Sequence, residues 1–428
     1  MQYLEALDYL YSRLPVFHRI GPKAIKPGLG NTLALCEALG NPQDQFRSVH
    51  VAGTNGKGST SHMLAAIYQT AGYRVGLYTS PHLKSFTERI RLNGQPIAEE
   101  DVAQFVQQNQ ALIDAVEPSF FEVTVAMAFA YFANQHVDLA IIEVGLGGRL
   151  DSTNVITPNA SVITNIGYDH IDILGETLPQ IAREKAGIIK RAVPVVVSET
   201  QPETETIFRQ TAADVNAPIV FADTQYHVED RGMAQGKRQV QVVQAGDTPY
   251  TLELDLAGAY QLRNLPGVLA TVQVLQPIWP VSREAGQTAL ANVIPLTGLK
   301  GRFQTLQESP RVIVDTAHNE PGLTALFDSI KSMSFYTVRI VLGVVADKDR
   351  TNVLTALPLT AVYYFCQAQT PRALPAADLQ AEAAQIGRMG DAFADVNEAL
   401  RAALIQATPD DLILITGSNY TIAELSNL

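Results

Sequence analysis

Residues 51–61, Val51-Ala52-Gly53-Thr54-Asn55-Gly56-Lys57-Gly58-Ser59-Thr60-Ser61, decide the fold of the first half of this chain. An apolar strand end runs into a turn with three glycines, a lysine and several hydroxyls. The glycines let backbone N–H groups approach an anion, and Lys57 adds positive charge at the start of the next helix. The stretch predicts a phosphate-binding loop, although Gly58 separates Lys57 from Ser59, unlike the common P-loop spacing.

The composition limits the possible classes of protein. The chain has 428 residues, of which 46% are hydrophobic and 17% charged, so we expect two folded domains rather than disorder. Its formal net charge of −12 at pH 7 argues against general affinity for nucleic acid or anionic membranes, both of which require a basic surface. A polyanionic substrate must therefore bind at a site where positively charged groups are concentrated locally.

The chain carries no pattern of a secreted, membrane or metal-clustered protein. Its first ten residues contain acids where a signal peptide has bases, and no uninterrupted apolar run reaches about 18 residues. We therefore expect a soluble, cytoplasmic protein. Cys36 and Cys366 are far apart and have no neighbouring metal-ligand residues, which predicts neither a zinc site nor a disulfide.

Apolar, β-branched runs alternate with helical periods from about residue 48 to 221. Near-continuous apolar runs are typical of strands in a sheet covered on both faces, and the βαβ order predicts a doubly wound α/β domain. The expected strands are Ser48–Ala52, Arg74–Tyr78, Val137–Val144, Ala160–Thr164, Pro194–Val197 and Pro218–Phe221, with a long apolar helix over Phe120–Asn134.

Two further patterns complete the expected architecture. Alternation between Tyr226 and Leu256 predicts a small antiparallel sheet. A second α/β series then begins after residue 296, with strands near Arg311–Val314, Val338–Val344, Val362–Phe365 and Asp411–Thr416. We therefore expect an N-terminal P-loop domain over residues 1–296 and a C-terminal Rossmann-like α/β domain over residues 297–428.

Three candidate metal ligands follow predicted strands of the first domain. Glu143 ends an apolar strand where a P-loop enzyme places a magnesium-binding acid, and His170 follows the next strand. Ser80 could add a hydroxyl oxygen to the same shell. Each also has a plain interpretation: a solvated acid for Glu143, a structural or surface histidine for His170 and a turn-forming Ser-Pro for Ser80.

The remaining candidates are one helical lysine and a second set of strand ends. Lys185 lies among small and apolar neighbours, and its residues alone favour an exposed or snorkelling side chain. Asp315 and His318 follow a buried strand of the second domain, where they are either helix-capping residues or site residues. Arg302, residues 347–349 and residues 416–420 fall near other strand ends of that domain, and two such clusters predict a cleft between the domains.

With these motifs in order, the chain resembles the folylpolyglutamate synthase and dihydrofolate synthase family, itself related to the Mur ligases. The resemblance covers about residues 50–420. Besides residues 53–59, it is carried by Tyr78-Thr79-Ser80-Pro81-His82, Glu88-Arg89-Ile90, Phe121-Glu122, Glu143-Val144-Gly145-Leu146-Gly147-Gly148, Asp151-Ser152-Thr153-Asn154, Asp169-His170, Lys185-Ala186-Gly187-Ile188, Arg302 and Asp315-Thr316-Ala317-His318-Asn319.

The resemblance implies an ATP-dependent ligase that joins L-glutamate to the γ-carboxyl of folate through an acyl phosphate. It implies an ATP site formed by Gly53, Thr54, Asn55, Gly56, Lys57, Gly58, Ser59, Asn264, Arg302 and Asp315. It implies magnesium, two ions being expected, at Ser80, Glu143 and His170, and a carbamylated lysine at Lys185. Catalytic roles are implied for Lys57, Lys185, His170, Asp315 and His318, and substrate binding for Phe121, Lys348 and Ser418.

Several expectations concern partners and alternatives. The resemblance implies small-molecule substrates and leaves open a K⁺ ion as a cofactor and dihydropteroate as a second substrate. The net charge predicts no nucleic-acid or membrane partner, and we expect a monomer because one chain supplies both sides of the predicted cleft. The family motif Asp-Gly-Ala-His-Asn-Pro is altered here at Thr316 and Glu320, which leaves the local turn open. A Mur-type UDP-muramoyl ligase is disfavoured because only 52 residues precede Gly53; a nucleotide-binding switch without ligase activity is the other alternative.

Overall fold

Apolar runs in the first half of the chain form one large, mostly parallel sheet in the computed structural model. The structure describes residues 1–24, 26, 28–331, 333–346 and 350–428. These residues divide into two units, the first comprising residues 1–255 and 261–298 and the second residues 256–260 and 299–428. The first unit ends at residue 298, whereas the sequence pattern placed the domain boundary after residue 296.

The large sheet of the first unit has the strand order β4-β3-β2-β5-β1-β6-β7-β8. Strands β2, β5, β1, β6, β7 and β8 run parallel, and β3 and β4 add an antiparallel edge. The strands are β1 Ser48–Ala52, β2 Val75–Tyr78, β3 Ile90–Leu92, β4 Gln95–Pro96, β5 Leu139–Glu143, β6 Ala160–Ile163, β7 Val195–Val197 and β8 Ile219–Phe221.

Helices cover both faces of this sheet. Apolar side chains of α1, α3, α5 and α6 share one core cluster with Tyr78, Ala140 and Ile142, whereas α8 and α9 pack with Ala52 and Ile163. The helices are α1 Tyr3–Arg13, α2 Phe17–Ile20, α3 Gly30–Ala38, α4 Lys57–Thr70, α5 Glu99–Val116, α6 Phe120–Asn134, α7 Ile171–Leu174, α8 Leu178–Ala186 and α9 Pro202–Asp214. Short 3₁₀ turns lie at Gly21–Ala24, Pro42–Asp44, Phe86–Arg89, Ser152–Val155 and Ala222–Thr224.

A small antiparallel sheet and three helices complete the first unit. The sheet has the order β11-β10-β9, with β9 Tyr226–Ala234, β10 Lys237–Gln244 and β11 Tyr250–Leu254. Alternating Val240 and Val242 are buried on one face of β10, as the period of two predicted. The helices are α10 Gln261–Leu275, α11 Arg283–Leu290 and α12 Val293–Thr297.

The second unit is built on a sheet of order β12-β13-β17-β14-β15-β16. All of these strands are parallel except β12, which pairs antiparallel with β13. The elements are β12 Gln304–Glu308, β13 Arg311–Val314, α13 Glu320–Ile330, β14 Val338–Leu342, α14 Arg350–Thr355, β15 Val362–Cys366, α15 Ala376–Gln385, β16 Gly390–Phe393, α16 Val396–Gln406, β17 Leu412–Thr416 and α17 Asn419–Ala423.

The predicted fold class is confirmed: a doubly wound, mostly parallel α/β domain with a small antiparallel sheet, followed by a second α/β sheet. Pattern reasoning did not predict the edge strands β4, β12 and β16 or the three-residue strand β3, because short or partly exposed strands lack a continuous apolar run. Across the described ranges, no helix combines the length and apolar character that crossing a membrane requires.

Candidate active site

The predicted phosphate-binding loop joins β1 to α4. Gly53 and Gly56 have φ values of 150° and 85°, and Gly56 is the N-cap of α4. Lys57 Nζ donates to the carbonyl oxygens of Gly53, at 3.0 Å, and Thr54, at 3.1 Å. The ammonium group therefore lies against the loop beside the N–H groups of the first helical turn, which lack acceptors within the helix. Such a pairing of an ammonium group with a helix N-terminus is suited to binding an anion, even in an acidic chain.

A segment after β6 braces this loop from the side. The Thr54 N–H donates to the Asn165 carbonyl oxygen at 2.9 Å, and the Asn55 N–H donates to Asn165 Oδ1 at 3.0 Å. Thr54 Oγ1 donates to the Gly167 carbonyl oxygen at 3.1 Å and accepts from the Gly167 N–H at 2.9 Å. A Cβ atom at Gly53 would lie 1.8 Å from Thr164 Oγ1, so the packing requires glycine there.

Helix α10 braces the loop from another direction. Gln261 Nε2 donates to Ser59 Oγ at 3.1 Å, and Gln261 Oε1 accepts from Asn264 Nδ2 at 2.8 Å. A Cβ atom at Gly56 would lie 2.2 Å from Asn264 Oδ1. The structure thus places the predicted nucleotide residue Asn264 against the loop, and it adds Gln261, which the sequence reasoning did not select.

The structure brings together two of the three predicted metal ligands. The Ser80 N–H donates to Glu143 Oε2 at 2.9 Å, because β2 and β5 are neighbours and both residues lie at their carboxyl ends. Glu143 is buried, with 4% exposure. A carboxylate and a hydroxyl are hard-oxygen donors of the kind that Mg²⁺ and Mn²⁺ prefer, and here they belong to residues joined through the Ser80 backbone.

The third predicted ligand, His170, follows β6 on the other side of β1. Its backbone N–H donates to Asp169 Oδ1 at 2.9 Å, and its Nε2 atom lies 3.8 Å from the same oxygen. His170 has a left-handed φ of 50° and precedes α7, and its ring contacts Phe17 edge-on at 6.0 Å. Among the described residues, no three His, Cys, Asp or Glu side chains converge as a metal-binding group.

The strand order explains why these residues share one edge. Strands β2, β5, β1 and β6 are consecutive neighbours, and their carboxyl ends lead to Ser80, Glu143, the phosphate loop and Asp169-His170 respectively. Ligands of open α/β sheets bind outside the carboxyl ends of parallel strands. The first unit therefore concentrates its hydroxyl, carboxylate, imidazole and ammonium candidates where that rule places a ligand.

Lys185 is buried, so the exposed interpretation of this lysine is wrong. Its exposure is 3%, and its Nζ donates to the Gly53 carbonyl oxygen at 2.8 Å. The pKa of Lys185 is lowered to about 7, chiefly by burial and in addition by the nearby Lys57 cation, whereas Asp169 and Asp151 act to raise it. A large fraction of this amine is consequently neutral at neutral pH.

Phe121 lies at the start of α6, in the same part of the first unit. A Cβ atom on Gly145 would lie 2.4 Å from Phe121 Cζ, so the ring packs directly on the glycine-rich segment after β5. The ring of Tyr78 is 6.2 Å away. Phe121 is only half-buried, which leaves it compatible with the predicted substrate contact.

In the second unit, Asp315 organises the turn after β13. Its Oδ2 atom accepts from Tyr260 Oη at 2.6 Å and from the Phe303 N–H at 2.8 Å, and Oδ1 accepts from the Ala317 N–H at 2.8 Å. Burial raises the pKa of Asp315 above its ordinary value. The helix-cap interpretation of Asp315 is wrong, because Asn319 caps α13 by accepting from the Gly322 N–H.

The other predicted residues of this unit are engaged within it. Arg302 contacts Thr316 Oγ1 and donates to the Gly301 carbonyl oxygen at 3.2 Å, and His318 Nδ1 donates to the Thr316 carbonyl oxygen at 2.9 Å. Ser418 is the N-cap of α17 and accepts from the Thr421 N–H. The predicted substrate residue Lys348 lies outside the described residues.

Sequence reasoning missed the residues that support the site. Gln261, Asn165 and Tyr260 carry no charge in the folded protein and match no general motif, so only position could have selected them. For Asn165 that signal existed, because it follows β6 at the same sheet edge as the phosphate loop. Tyr260 and Gln261 lie where α10 begins, and nothing in their local pattern indicates the loops that they contact.

Comparison with protein-family models matches both parts of the chain. Residues 51–272 match the Mur ligase middle domain, and residues 301–419 match the Mur ligase glutamate ligase domain. A curated relative, the folylpolyglutamate synthase of Lacticaseibacillus casei, is 36% identical over 436 residues, which cover 98% of this chain and 97% of the relative.

Solved structures resemble the whole chain. Folylpolyglutamate synthase of Mycobacterium tuberculosis, complexed with ADP and AMPPCP, has a TM-score of 0.88 and 32% identity, covering 99% of this chain and 97% of that one. The bifunctional folylpolyglutamate synthase/dihydrofolate synthase of Yersinia pestis, complexed with AMPPNP and a Mn ion, has a TM-score of 0.84 and 30% identity, covering 99% and 97%.

Proposed function

Because the chain belongs to the folylpolyglutamate synthase and dihydrofolate synthase family of Mur ligases, we propose that it joins L-glutamate to folate with consumption of ATP. It is an ATP-dependent ligase that extends the γ-carboxyl of (tetrahydro)folate polyglutamates and releases ADP and phosphate. The observation that supports this proposal is the position of the loop at residues 53–59. The loop lies at the sheet edge that also holds Glu143 and Ser80, and Lys185 of α8 donates to its Gly53 carbonyl oxygen.

The chemistry explains why a phosphate-binding loop serves an amide ligase. A carboxylate is a poor electrophile, so the substrate carboxylate first attacks the γ-phosphorus of ATP, and ADP leaves. The glutamate amine then attacks the resulting acyl phosphate, an amide bond forms, and phosphate departs. Lys57 and the first N–H groups of α4 are proposed to bind the phosphate oxygens on which charge develops. Such electrostatic stabilisation is the main way that proteins catalyse phosphoryl transfer.

The residues present fit a divalent metal ion. Glu143 carries a carboxylate and Ser80 a hydroxyl, both hard-oxygen donors, and the Ser80 N–H donates to Glu143 Oε2. Mg²⁺ is commonly bound by one or two carboxylates together with substrate phosphates and water. When bound, such an ion neutralises phosphate charge and polarises the phosphoryl group. His170 is proposed as a further ligand, and two ions are proposed for the complete site.

Lys185 is proposed to carry a carbamate. Its depressed pKa supplies the neutral amine that can add carbon dioxide, with release of one proton, to give an N-carboxylate. The Lys57 cation close by favours the resulting negative charge. The modified side chain would then be an anion at the edge of the sheet that holds the proposed metal ligands.

The second unit is proposed to supply further nucleotide and amino-acid contacts. Asp315 and Arg302 are the proposed nucleotide residues, and His318 and Ser418 are proposed to bind on the amino-acid or nucleotide side. This proposal is supported by the positions of Asp315 and Ser418, which follow the neighbouring parallel strands β13 and β17 at the carboxyl edge of the second sheet. A dihydropteroate substrate and a K⁺ ion are proposed as additional features of the reaction.

One assay tests the proposed function. We expect ADP release from ATP and Mg²⁺ to depend on both L-glutamate and a folate acceptor, with tetrahydrofolate and dihydropteroate supplied in separate reactions. Product mass should rise by one glutamyl residue for each ADP formed. ATP binding without glutamate-dependent ADP release would instead support the nucleotide-switch alternative and overturn the ligase proposal.

A further inference from the structure

Gln201 makes a two-point contact with the segment that follows β6. Its Oε1 atom accepts from the Ile166 N–H at 2.7 Å, and its Nε2 donates to the Ile166 carbonyl oxygen at 2.8 Å. A side-chain amide carries one acceptor and one donor side by side, so it matches the two polar groups of a single residue's backbone. Gln201 thereby fixes the backbone of Ile166 in the way that a neighbouring strand would.

This contact does not serve the helix that Gln201 begins. Gln201 is the N-cap residue of α9, but its side chain makes no capping hydrogen bond. The capping position is served instead by its carbonyl oxygen, which accepts from the N–H groups of Thr204 and Glu205. The amide is therefore directed away from α9 toward the sheet edge.

Ile166 lies between the two residues that brace the phosphate loop. Asn165 accepts from the N–H groups of Thr54 and Asn55, and Gly167 exchanges two hydrogen bonds with the Thr54 hydroxyl. A shift of the Ile166 backbone would move both braces. The same segment continues to Asp169 and His170, so it also sets where the proposed metal ligand emerges.

We propose that Gln201 is a positioning residue of the ligase, which holds residues 165–167 and through them the phosphate loop in the nucleotide-binding conformation. The expected effect of Gln201 on turnover rests on the proposed function, but its expected effect on ADP affinity does not. The buried Ile166 side chain belongs to the core cluster beneath α8 and α9, so the segment stays anchored when the amide is removed. Loss of the amide should therefore loosen the loop without unfolding the unit.

The test replaces the amide with side chains of similar length. Gln201→Met removes both hydrogen bonds, and Gln201→Glu, when ionised, removes the donor and places a carboxylate against the Ile166 carbonyl oxygen. Gln210→Met on the exposed face of the same helix is the matched control, because Gln210 donates to Asp214 of its own helix and lies away from the loop segment. ADP with Mg²⁺ is titrated calorimetrically into each full-length protein.

We expect Gln201→Met to raise the dissociation constant of ADP about five- to tenfold, the scale of one or two ordinary hydrogen bonds, while Gln210→Met leaves it unchanged. Gln201→Glu should bind ADP weakly at pH 8, where the introduced carboxyl is ionised. Its affinity relative to the native protein should recover as the pH falls to 5, because the adjacent Ile166 carbonyl oxygen disfavours the ionised form and a protonated carboxyl can donate again. In turnover, KM for ATP should rise more than KM for glutamate.

Native ADP affinity in Gln201→Met would overturn the proposal. If Gln201→Met fails to unfold cooperatively, the pH dependence of Gln201→Glu decides the question. An ADP affinity that stays equally far below that of the native protein at pH 8 and at pH 5 would contradict a positioning role. Failure of the ligase assay in the native protein would overturn the proposed function alone, because ADP affinity is measured without catalysis.

Discussion

Lys185 Nζ and Lys57 Nζ donate to the same acceptor, the carbonyl oxygen of Gly53, at 2.8 and 3.0 Å. Two ammonium groups converging on one carbonyl repel each other, and Lys185 is the buried member of the pair. Its charge is therefore disfavoured by burial and by its neighbour together. This arrangement makes the protonation of Lys185 sensitive to pH in the neutral range and gives the first prediction.

The stability of the protein should rise with pH because of Lys185. Its pKa is about 7 in the folded state against an ordinary 10.5, so between these values the unfolded chain binds a proton that the folded chain does not. Linkage then makes the free energy of unfolding increase with pH across this window. Relative to Lys185→Met, the native protein should gain about 1 kcal/mol per pH unit between pH 7 and 9.

Urea unfolding at pH 7, 8 and 9 in carbonate-free buffer measures this difference. Lys331→Met, on an exposed lysine that pairs with Asp328, is the control and should follow the native curve. Parallel pH curves for the native protein and Lys185→Met would show that Lys185 keeps its ordinary pKa. Repeating the measurement with bicarbonate, followed by intact mass, tests the proposed carbamate separately.

Lys57→Ala should abolish glutamate-dependent ATP turnover while the fold persists. The Lys57 ammonium donates to carbonyl oxygens of the loop itself, and the apolar core of the unit does not depend on these contacts. Loss of a charge directed at the transferring phosphate is expected to lower kcat by about 100-fold or more. Steady-state ADP release and thermal unfolding should be measured on the same preparation, and near-normal turnover would contradict the mechanism.

Gly56→Ala should abolish nucleotide binding by the phosphate loop because of one steric clash. A Cβ atom at this position would lie 2.2 Å from Asn264 Oδ1, whereas nothing lies within 4 Å of a Cβ atom on Gly72. Both glycines have positive φ, 85° and 94°, so Gly72→Ala carries the same backbone strain without the collision. We expect Gly56→Ala to lose measurable ADP binding by calorimetry and Gly72→Ala to retain it.

The double variant Gly56→Ala/Asn264→Ala separates the two causes of that loss. If the collision dominates, it should unfold at a higher temperature than Gly56→Ala alone, because the obstructing amide is gone. An unfolding temperature of the double variant equal to that of Gly56→Ala would mean that backbone strain at Gly56, rather than Asn264, explains the requirement for glycine.

The sequence predicted those parts of the site that have a local pattern. Continuous apolar strands end at Ala52, Glu143 and Ile163, and parallel pairing alone brings the residues after these strands to one edge of the sheet. Lys185 could not be predicted in the same way. Lys185 lies on α8, which is polar on average, and only the packing of this helix against the sheet buries the ammonium group. The residue-based interpretation therefore favoured exposure, and the family resemblance alone favoured a site role.

The residues that support the site could not be predicted from local sequence patterns, for a related reason. Gln201 and Gln261 act through amides that contact backbone or hydroxyl groups 35 and 202 positions away. Such contacts leave no periodicity, charge cluster or spacing in the sequence. They become visible only when the strand order and the position of α10 are known.

Glu143→Gln should weaken divalent-metal binding without unfolding the first unit. Glutamine keeps the shape of the side chain, and its carbonyl oxygen can still accept from the Ser80 N–H that contacts Glu143 Oε2. The ligand charge is lost, however, and metal affinity should fall at least about tenfold, since loss of even an outer-shell partner has that effect. Electron paramagnetic resonance of added Mn²⁺ with ADP measures the free ion directly.

Glu205→Gln is the control for that experiment, because Glu205 lies on α9 and pairs with Arg209 four residues later. It should leave Mn²⁺ affinity unchanged. Unaltered Mn²⁺ affinity in Glu143→Gln would remove Glu143 from the proposed metal ligands and leave its carboxylate as a purely structural acceptor for Ser80.

Asp315→Asn should destabilise the second unit, because Asp315 accepts three hydrogen bonds and donates none. An asparagine amide must direct its NH₂ group at one of these donors, either the Ala317 N–H or the pair formed by Tyr260 and the Phe303 N–H. At least one buried donor then loses its acceptor, which costs about 1–3 kcal/mol. Hydrogen exchange of peptides from residues 299–331 should accelerate, whereas the exposed control Asp328→Asn should leave it unchanged. Native exchange rates in Asp315→Asn would show that the carboxylate is not what holds this turn, and Asp315 would then be available for a ligand-binding role alone.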